Sequence, residues 1–357
     1  MLENWLNSVT LCSSDYQSWQ LGGNIDFFED SFPHLKDSKI ALVGTGREVD
    51  TIREYLYALS FPFNKLPIAD IGNLRKANEA FLLPVVRELL DNQILPVIIS
   101  HQETPSFTAQ FKAYQNIRKK VNAVIIDDQI PFHKDESNYL SSLQKSEVPL
   151  LGNFGLIGFQ AHLTPIETIQ FYQDKNYDLV RLGIAKKNLE QVEPIIRAAD
   201  TLYFNLSALK WSEASGSWEN TPSGFSSEES CQLGHYAGIS DRLSSIGFYG
   251  YCADNDKHGQ TAQLVAHLIW YLLDGTYNRK GDFPANTDGM IEYIVSFKDY
   301  DHNATFWKSI KSGRWWIQVD SKTNGKHELI PCSYEDYQLA CQDELSERVL
   351  NIFERYM

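Results

Sequence analysis

The chain has 357 residues, 43% of them hydrophobic and 22% charged, which supplies a sizeable core and excludes a disordered chain. Its 46 acidic residues against 32 basic ones leave a net charge of -14, and no Lys/Arg cluster interrupts that excess, so nucleic acid and membrane surfaces are excluded as partners. Residues 1–20 lack a basic start followed by an apolar run, and no stretch approaches the ~20 apolar residues of a membrane span, so a cytoplasmic protein is expected.

Short apolar runs alternate with amphipathic segments of helical length, the pattern of a parallel sheet covered by helices. Strands are expected at Ile40–Val43, Leu95–Ile99, Ala123–Ile126, Leu179–Leu182, Leu202–Leu206 and Ile246–Tyr251. After Asp50, Ile52, Tyr55, Leu56 and Leu59 share one helical face, and Ala77–Leu90 repeats the pattern. Thr104-Pro105 and Thr164-Pro165 read as helix starts, with Glu167 completing a capping box on Thr164 and Glu229 another on Ser226. His258-Gly259-Gln260 precedes a long helix ending near Asp274-Gly275. Beyond Asn278 a polar connector leads to Tyr293–Phe297, Phe306-Trp307 and Arg314–Ile317, then to one amphipathic helix over Tyr334–Tyr356. The expected organisation is therefore an α/β domain over residues 1–278, its first ~35 residues an extension, and an aromatic-rich subdomain over 279–357. The five cysteines are widely spaced without a C-x-x-C, which reads as buried free thiols.

In open parallel sheets ligands bind beyond the carboxyl ends of the strands. His101 and Glu103 follow the second expected strand, Asp127 and Asp128 the third, and Asn205, Ser207 and Asp254-Asn255-Asp256 follow later ones. Carboxylates and an imidazole from several elements would suit a divalent cation. Turns and helix caps ask for the same residue types at the same places. Gly44-Thr45-Gly46 imitates the opening of a dinucleotide fingerprint, but Val49 stands where the third glycine should be. His133, His162, His235 and His267 stand singly and read as structural.

From about residue 35 to 278 the order of these segments resembles the ureohydrolase family of arginase, agmatinase and formimidoylglutamase. The resemblance implies a three-layer α/β/α domain whose active members hold two Mn²⁺ ions through the motifs G-G-x-H, D-A-H-x-D and S-x-D-x-D. Here the first falls on Ile98-Ile99-Ser100-His101, keeping the histidine. The second falls on Asp127-Asp128-Gln129-Ile130-Pro131, keeping only Asp127, and the third on Tyr203–Ser207, where Asn205 and Ser207 replace both aspartates. A family glutamate near the guanidino group corresponds to Gly250. Pro222-Ser223-Gly224-Phe225, His258–Ala262 and Ser312–Trp316 resemble a bacterial formimidoylglutamase-like branch with similarly eroded metal motifs.

Two retained ligands leave too little negative charge to hold two dications and activate a bridging water. The expectation is a non-catalytic binding or regulatory protein with no cofactor. His101, Glu103, Asp127, Asp128, Asn205 and Ser207 would line a site for a small polar or cationic metabolite, and Gln129, Pro131 and Gly250 would mark the vestige of the family's centre. The alternative is a working hydrolase of a linear amidine or guanidine with a rearranged site holding one weak Mn²⁺ or Mg²⁺ ion. A third reading gives the tail an assembly role in a homo-oligomer, with Trp307, Trp315 and Trp316 forming a surface.

Overall fold

A computed structural model describes residues 2–64, 66–101, 104–135, 137–145, 149–219, 221–284, 287–297, 303–320 and 327–356. Ten strands form the main sheet: β1 Leu6–Asn7, β2 Asp26–Phe27, β3 Ile40–Gly44, β4 Ile68–Leu74, β5 Leu95–Ser100, β6 Lys120–Ile126, β7 Leu150–Phe159, β8 Asp178–Arg181, β9 Thr201–Asn205 and β10 Ser245–Tyr249. Between and after them run α1 Asp50–Ala58, α2 Glu79–Asp91, α3 Thr104–Lys112, α4 Tyr139–Gln144, α5 Ile166–Gln173, α6 Leu182–Lys187, α7 Glu193–Arg197, α8 Ser227–Gly238 and α9 Gln260–Tyr277. The sheet order is β1-β4-β3-β5-β10-β9-β6-β7-β8, with β2 also on β4. All pairings are parallel except β1 with β4.

Alternation along each strand feeds two cores. Ile40, Leu42, Val97 and Ile99 enter the layer beneath α1, α8 and α9, whereas Ala41, Val43 and Ile98 enter the one beneath α2, α3 and α4. This is the expected α/β/α sandwich. Ser226 and Glu229 form the expected capping box on α8. Thr164 does not cap α5: the helix begins one residue later than expected, and the Thr164 hydroxyl accepts from the Ile130 amide instead.

Strand β4 escapes the apolar pattern because Asp70 and Asn73 interrupt it, yet both are buried. Arg53, fully buried on α1, explains why. Its Nε lies 2.7 Å from Asp70 Oδ2 and its Nη2 donates to Asp70 Oδ1 at 3.0 Å, while Nη1 reaches Asp50 at 2.9 Å and Asn73 at 2.7 Å. Tyr57 donates to the same Asp70 carboxylate at 2.8 Å. A Cβ on Gly44 would lie 2.0 Å from Asn73 Oδ1, so this glycine makes room for the polar network, and the first glycine of Gly44-Thr45-Gly46 is accounted for without a nucleotide.

A second, antiparallel sheet follows: β11 Met290–Ser296, β12 Asn303–Ser309, β13 Trp315–Asp320 and β14 His327–Cys332, in that order. The tail expected as one helix is two, α10 Tyr334–Ala340 and α11 Glu347–Tyr356, with Asp343 between them at a positive φ of 63°. Trp315 and Trp316 are buried, which places them in packing and not on a surface. Arg197 from α7 docks this sheet. It donates to the carbonyls of Trp315 and Cys332, both at 3.1 Å, and its guanidinium lies 4.4 Å from the Trp316 ring centroid. All five cysteines are free as expected, but Cys12 and Cys341 are exposed. Among the described residues no helix is long and apolar enough to cross a membrane.

Removing one partner of a buried ion pair strands the other. Arg53→Met should therefore destabilise the protein by about 3–5 kcal/mol, read as a lower urea midpoint at unchanged slope.

Candidate functional site

The chain lays down β3, β4 and β5, skips outward to β6, β7 and β8, and then returns to insert β9 and β10 into the gap. That return brings the carboxyl ends of β5, β10, β9 and β6 into one row, with Tyr249 paired to both Ser100 and Asn205 and Ile126 paired to Phe204. His101, Gly250, Asn205 with Ser207, and Asp127 with Asp128 follow these four ends. At about 4.8 Å per strand, the ends of β5 and β6 lie roughly 14 Å apart.

Asp127 is the centre of what the fold assembles. Its Oδ1 accepts from the Ser207 hydroxyl at 2.7 Å, the Asn205 amide at 3.1 Å and the backbone N–H of Asp128 at 2.9 Å. Its Oδ2 accepts from the Tyr139 hydroxyl at 2.9 Å. Four donors, all neutral, thus surround a carboxylate that is only 3% exposed. Burial raises the Asp127 pKa and the hydroxyl and amide donors oppose that rise. Asp128 has less support, with Ser207 alone opposing the rise. One of its carboxyl oxygens is buried without a hydrogen-bond partner, and burial together with the neighbouring Asp127 charge pushes its pKa up to about 8. The two adjacent carboxyls therefore titrate as a pair, both raised by burial.

His101 is not drawn into this cluster. Its Nδ1 pairs with the Glu48 carboxylate and lies 3.3 Å from Thr45 Oγ1, and its carbonyl accepts from the Trp218 indole at 2.7 Å. The histidine contact holds the Glu48 carboxyl below its ordinary range. Among the described residues no hydrogen bond joins His101 to Asp127. Gln129 turns outward to Glu219 at 2.7 Å, and Pro131 offers no donor atom. Gly250 takes part through its backbone alone: it sits at φ 88° and its carbonyl accepts from the Trp218 N–H. Asp256 is a helix cap, accepting from the amides of Thr261 and Ala262 at 3.0 and 2.8 Å. His133 and His235 have structural partners in Thr168 and Asp274. Glu103, expected at the site, lies outside the described residues. Tyr139 and Trp218 were not legible as site residues, because neither follows a strand end, whereas Glu48 lies four residues beyond β3, where the strand-end rule could have found it.

No family model and no curated protein matches the sequence. Solved structures do match. The oxidized Mn²⁺-bound formiminoglutamase of Trypanosoma cruzi superposes with a TM-score of 0.60 at 14% identity over 69% of this chain and 95% of its own. Formimidoylglutamase of Bacillus subtilis does so with a TM-score of 0.60 at 13% identity over 76% and 95% of the two chains, and agmatine ureohydrolase of Thermoplasma volcanium with 0.55 at 13% over 73% and 95%. The chain therefore has the arginase-like fold of the ureohydrolases. It holds a nearly complete counterpart of that fold plus further residues of its own.

These structures correct the expectation of no cofactor. The trypanosomal enzyme is a structure with Mn²⁺ bound, so a metal cofactor is the starting point for this fold. The donor set of this chain does not fit a pair of such ions. Asn205 and Ser207 spend their side chains as donors to Asp127, and His101 is paired elsewhere. Among the described residues no group of three or more His, Cys, Asp or Glu side chains is arranged to hold a metal ion.

Because the folded Asp128 pKa stands above its unfolded value near 4, the folded state binds an extra proton between those limits. Its stabilising contribution is complete below about pH 4 and is lost as pH rises through about 8, with a slope approaching 1.4 kcal/mol per pH unit. Asp128→Asn should flatten that fall, seen in urea titrations from pH 5 to 8.

Proposed function

We propose that this chain is a ureohydrolase-fold binding protein that has given up the two-manganese arrangement, and that the rim of its strand-end site takes a small organic cation. The observation that carries the reading is the engagement of Asp127 by four neutral donors, Ser207, Asn205, Tyr139 and the Asp128 amide. A carboxylate so engaged organises the strand ends, and bridging two dications would require displacing these donors.

What stays accessible lies above it. Trp218 is 56% exposed, its indole fixed by the His101 carbonyl. Exposed Glu219 follows it, and Glu48, a third exposed, flanks His101. An aromatic face beside two carboxylates is the chemistry that recognises a guanidinium or ammonium group. Asp127, Asp128, Asn205 and Ser207 act beneath this rim as its support, and none of them touches the ligand.

A second reading keeps the hydrolase class, supported by the activities named for the neighbouring structures and by Asp128, whose raised pKa and unpartnered oxygen suit a proton carrier. It requires a rearranged catalytic site and an amidine or guanidine substrate.

Agmatine serves as the probe for both. Under the binding reading it titrates onto the protein with a change in tryptophan emission, Trp218→Ala weakens it about tenfold, and no urea appears with Mn²⁺ present. Metal-dependent turnover of agmatine or formiminoglutamate that Asp127→Ala abolishes would transfer the case to the hydrolase.

A further inference from the structure

The opposite edge of the sheet carries a feature that neither reading uses. At the amino ends of β3, β5 and β10 lies a cavity of about 580 Å³, lined by Lys39, Arg118, Arg242 and Arg279, with Asp241 as the acidic member of its wall. Four cations around one cavity are unexpected in a chain of net charge -14.

The charges are not neutralised in place. Arg118 and Arg242 share a single carboxylate, that of fully buried Asp200. Arg118 Nη1 contacts Oδ1, and Arg242 places Nε 2.9 Å from Oδ1 and Nη2 3.0 Å from Oδ2. Asp200 also accepts from the Asn122 amide at 2.8 Å, so it positions two guanidiniums while offsetting one. Arg279 donates to the carbonyls of Gly238 at 2.9 Å and Leu243 at 3.2 Å, with neutral acceptors only in hydrogen-bond contact. Burial pushes its pKa down to about 10, a fall that the nearby Asp241 charge only partly opposes. Asp241 turns its oxygens to the amides of Gly281 and Asp282. Lys39 is exposed at the cavity mouth. Leu66 and Ile94 supply apolar wall.

We infer that this cavity is a binding site for a small organic anion carrying two or more negative charges, held by Arg279, Arg118, Arg242 and Lys39. Guanidinium forks match the oxygens of phosphate and carboxylate alike, and the apolar wall accommodates a carbon body. At 3.3 Å per residue, the five or six residues of β3 and β5 separate it from the strand-end site by roughly 17–20 Å, so it is a second site.

The test is calorimetric titration of the full chain in low-chloride buffer with pyrophosphate and, separately, citrate. At least one of them binds, the better of the two telling phosphate from carboxylate, and added salt weakens it. Lys39→Glu and Arg279→Gln each weaken it about tenfold or more. If Arg279→Gln fails to fold because α8 loses its Gly238 contact, Lys39→Glu decides, since that side chain is at the surface. The inference is overturned if neither anion binds at millimolar concentration, or if binding is unchanged in Lys39→Glu.

Discussion

A carboxylate taken out of water must be offset by a cation, a metal ion or a set of hydrogen-bond donors, and the arrangement around Asp127 follows from which of these the chain supplies. Asn205 and Ser207 from the end of β9 and Tyr139 from α4 converge on its two oxygens, and the amide of Asp128 completes the set. The substitutions in the third motif thereby acquire a chemical meaning. Aspartates at 205 and 207 would add negative charge beside Asp127 and would need dications to hold them together, whereas an amide and a hydroxyl donate to it and need none. The neighbouring Asp128, left with an unpartnered oxygen, answers the same burial with a raised pKa.

Much of this was legible in the sequence, and the omissions share a cause. Strands such as Ile40–Gly44 and Leu95–Ser100 are apolar on both faces and could be read directly. Strand β4 could not, because Asp70 and Asn73 look like loop residues until Arg53, seventeen positions before Asp70, is seen to satisfy them. The glycines of Leu150–Phe159 hid β7 in the same way. At the site, strand ends identified Asp127, Asn205 and Ser207 as neighbours, since position after a strand is a local property. They also suggested that His101 would join them. Its pairing with Glu48 depends on how the loop before α1 folds over β5, which spacing along the chain does not encode. Thr164 illustrates the competition between local and distant partners: a helix-capping sequence is outbid by the Ile130 amide.

The sheet has two chemically different edges. At the carboxyl ends, carboxyl groups gather beneath an exposed tryptophan, and at the amino ends guanidiniums gather around a shared aspartate. The appended antiparallel sheet is held by Arg197, whose guanidinium joins α7 to the backbone of β13 and β14 and to the Trp316 face. Arg355 and Arg348 of α11 extend that attachment towards Asp178 on β8, at 3.5 and 3.7 Å.

The central claim is that Asp127 is held by protein donors in place of a pair of metal ions. Elemental analysis of protein expressed with added manganese and freed of loosely held ions tests it most directly. The account predicts at most one ion per chain, with Asp127→Asn leaving that content unchanged. Two manganese ions per chain, lost together on replacing Asp127, would contradict it.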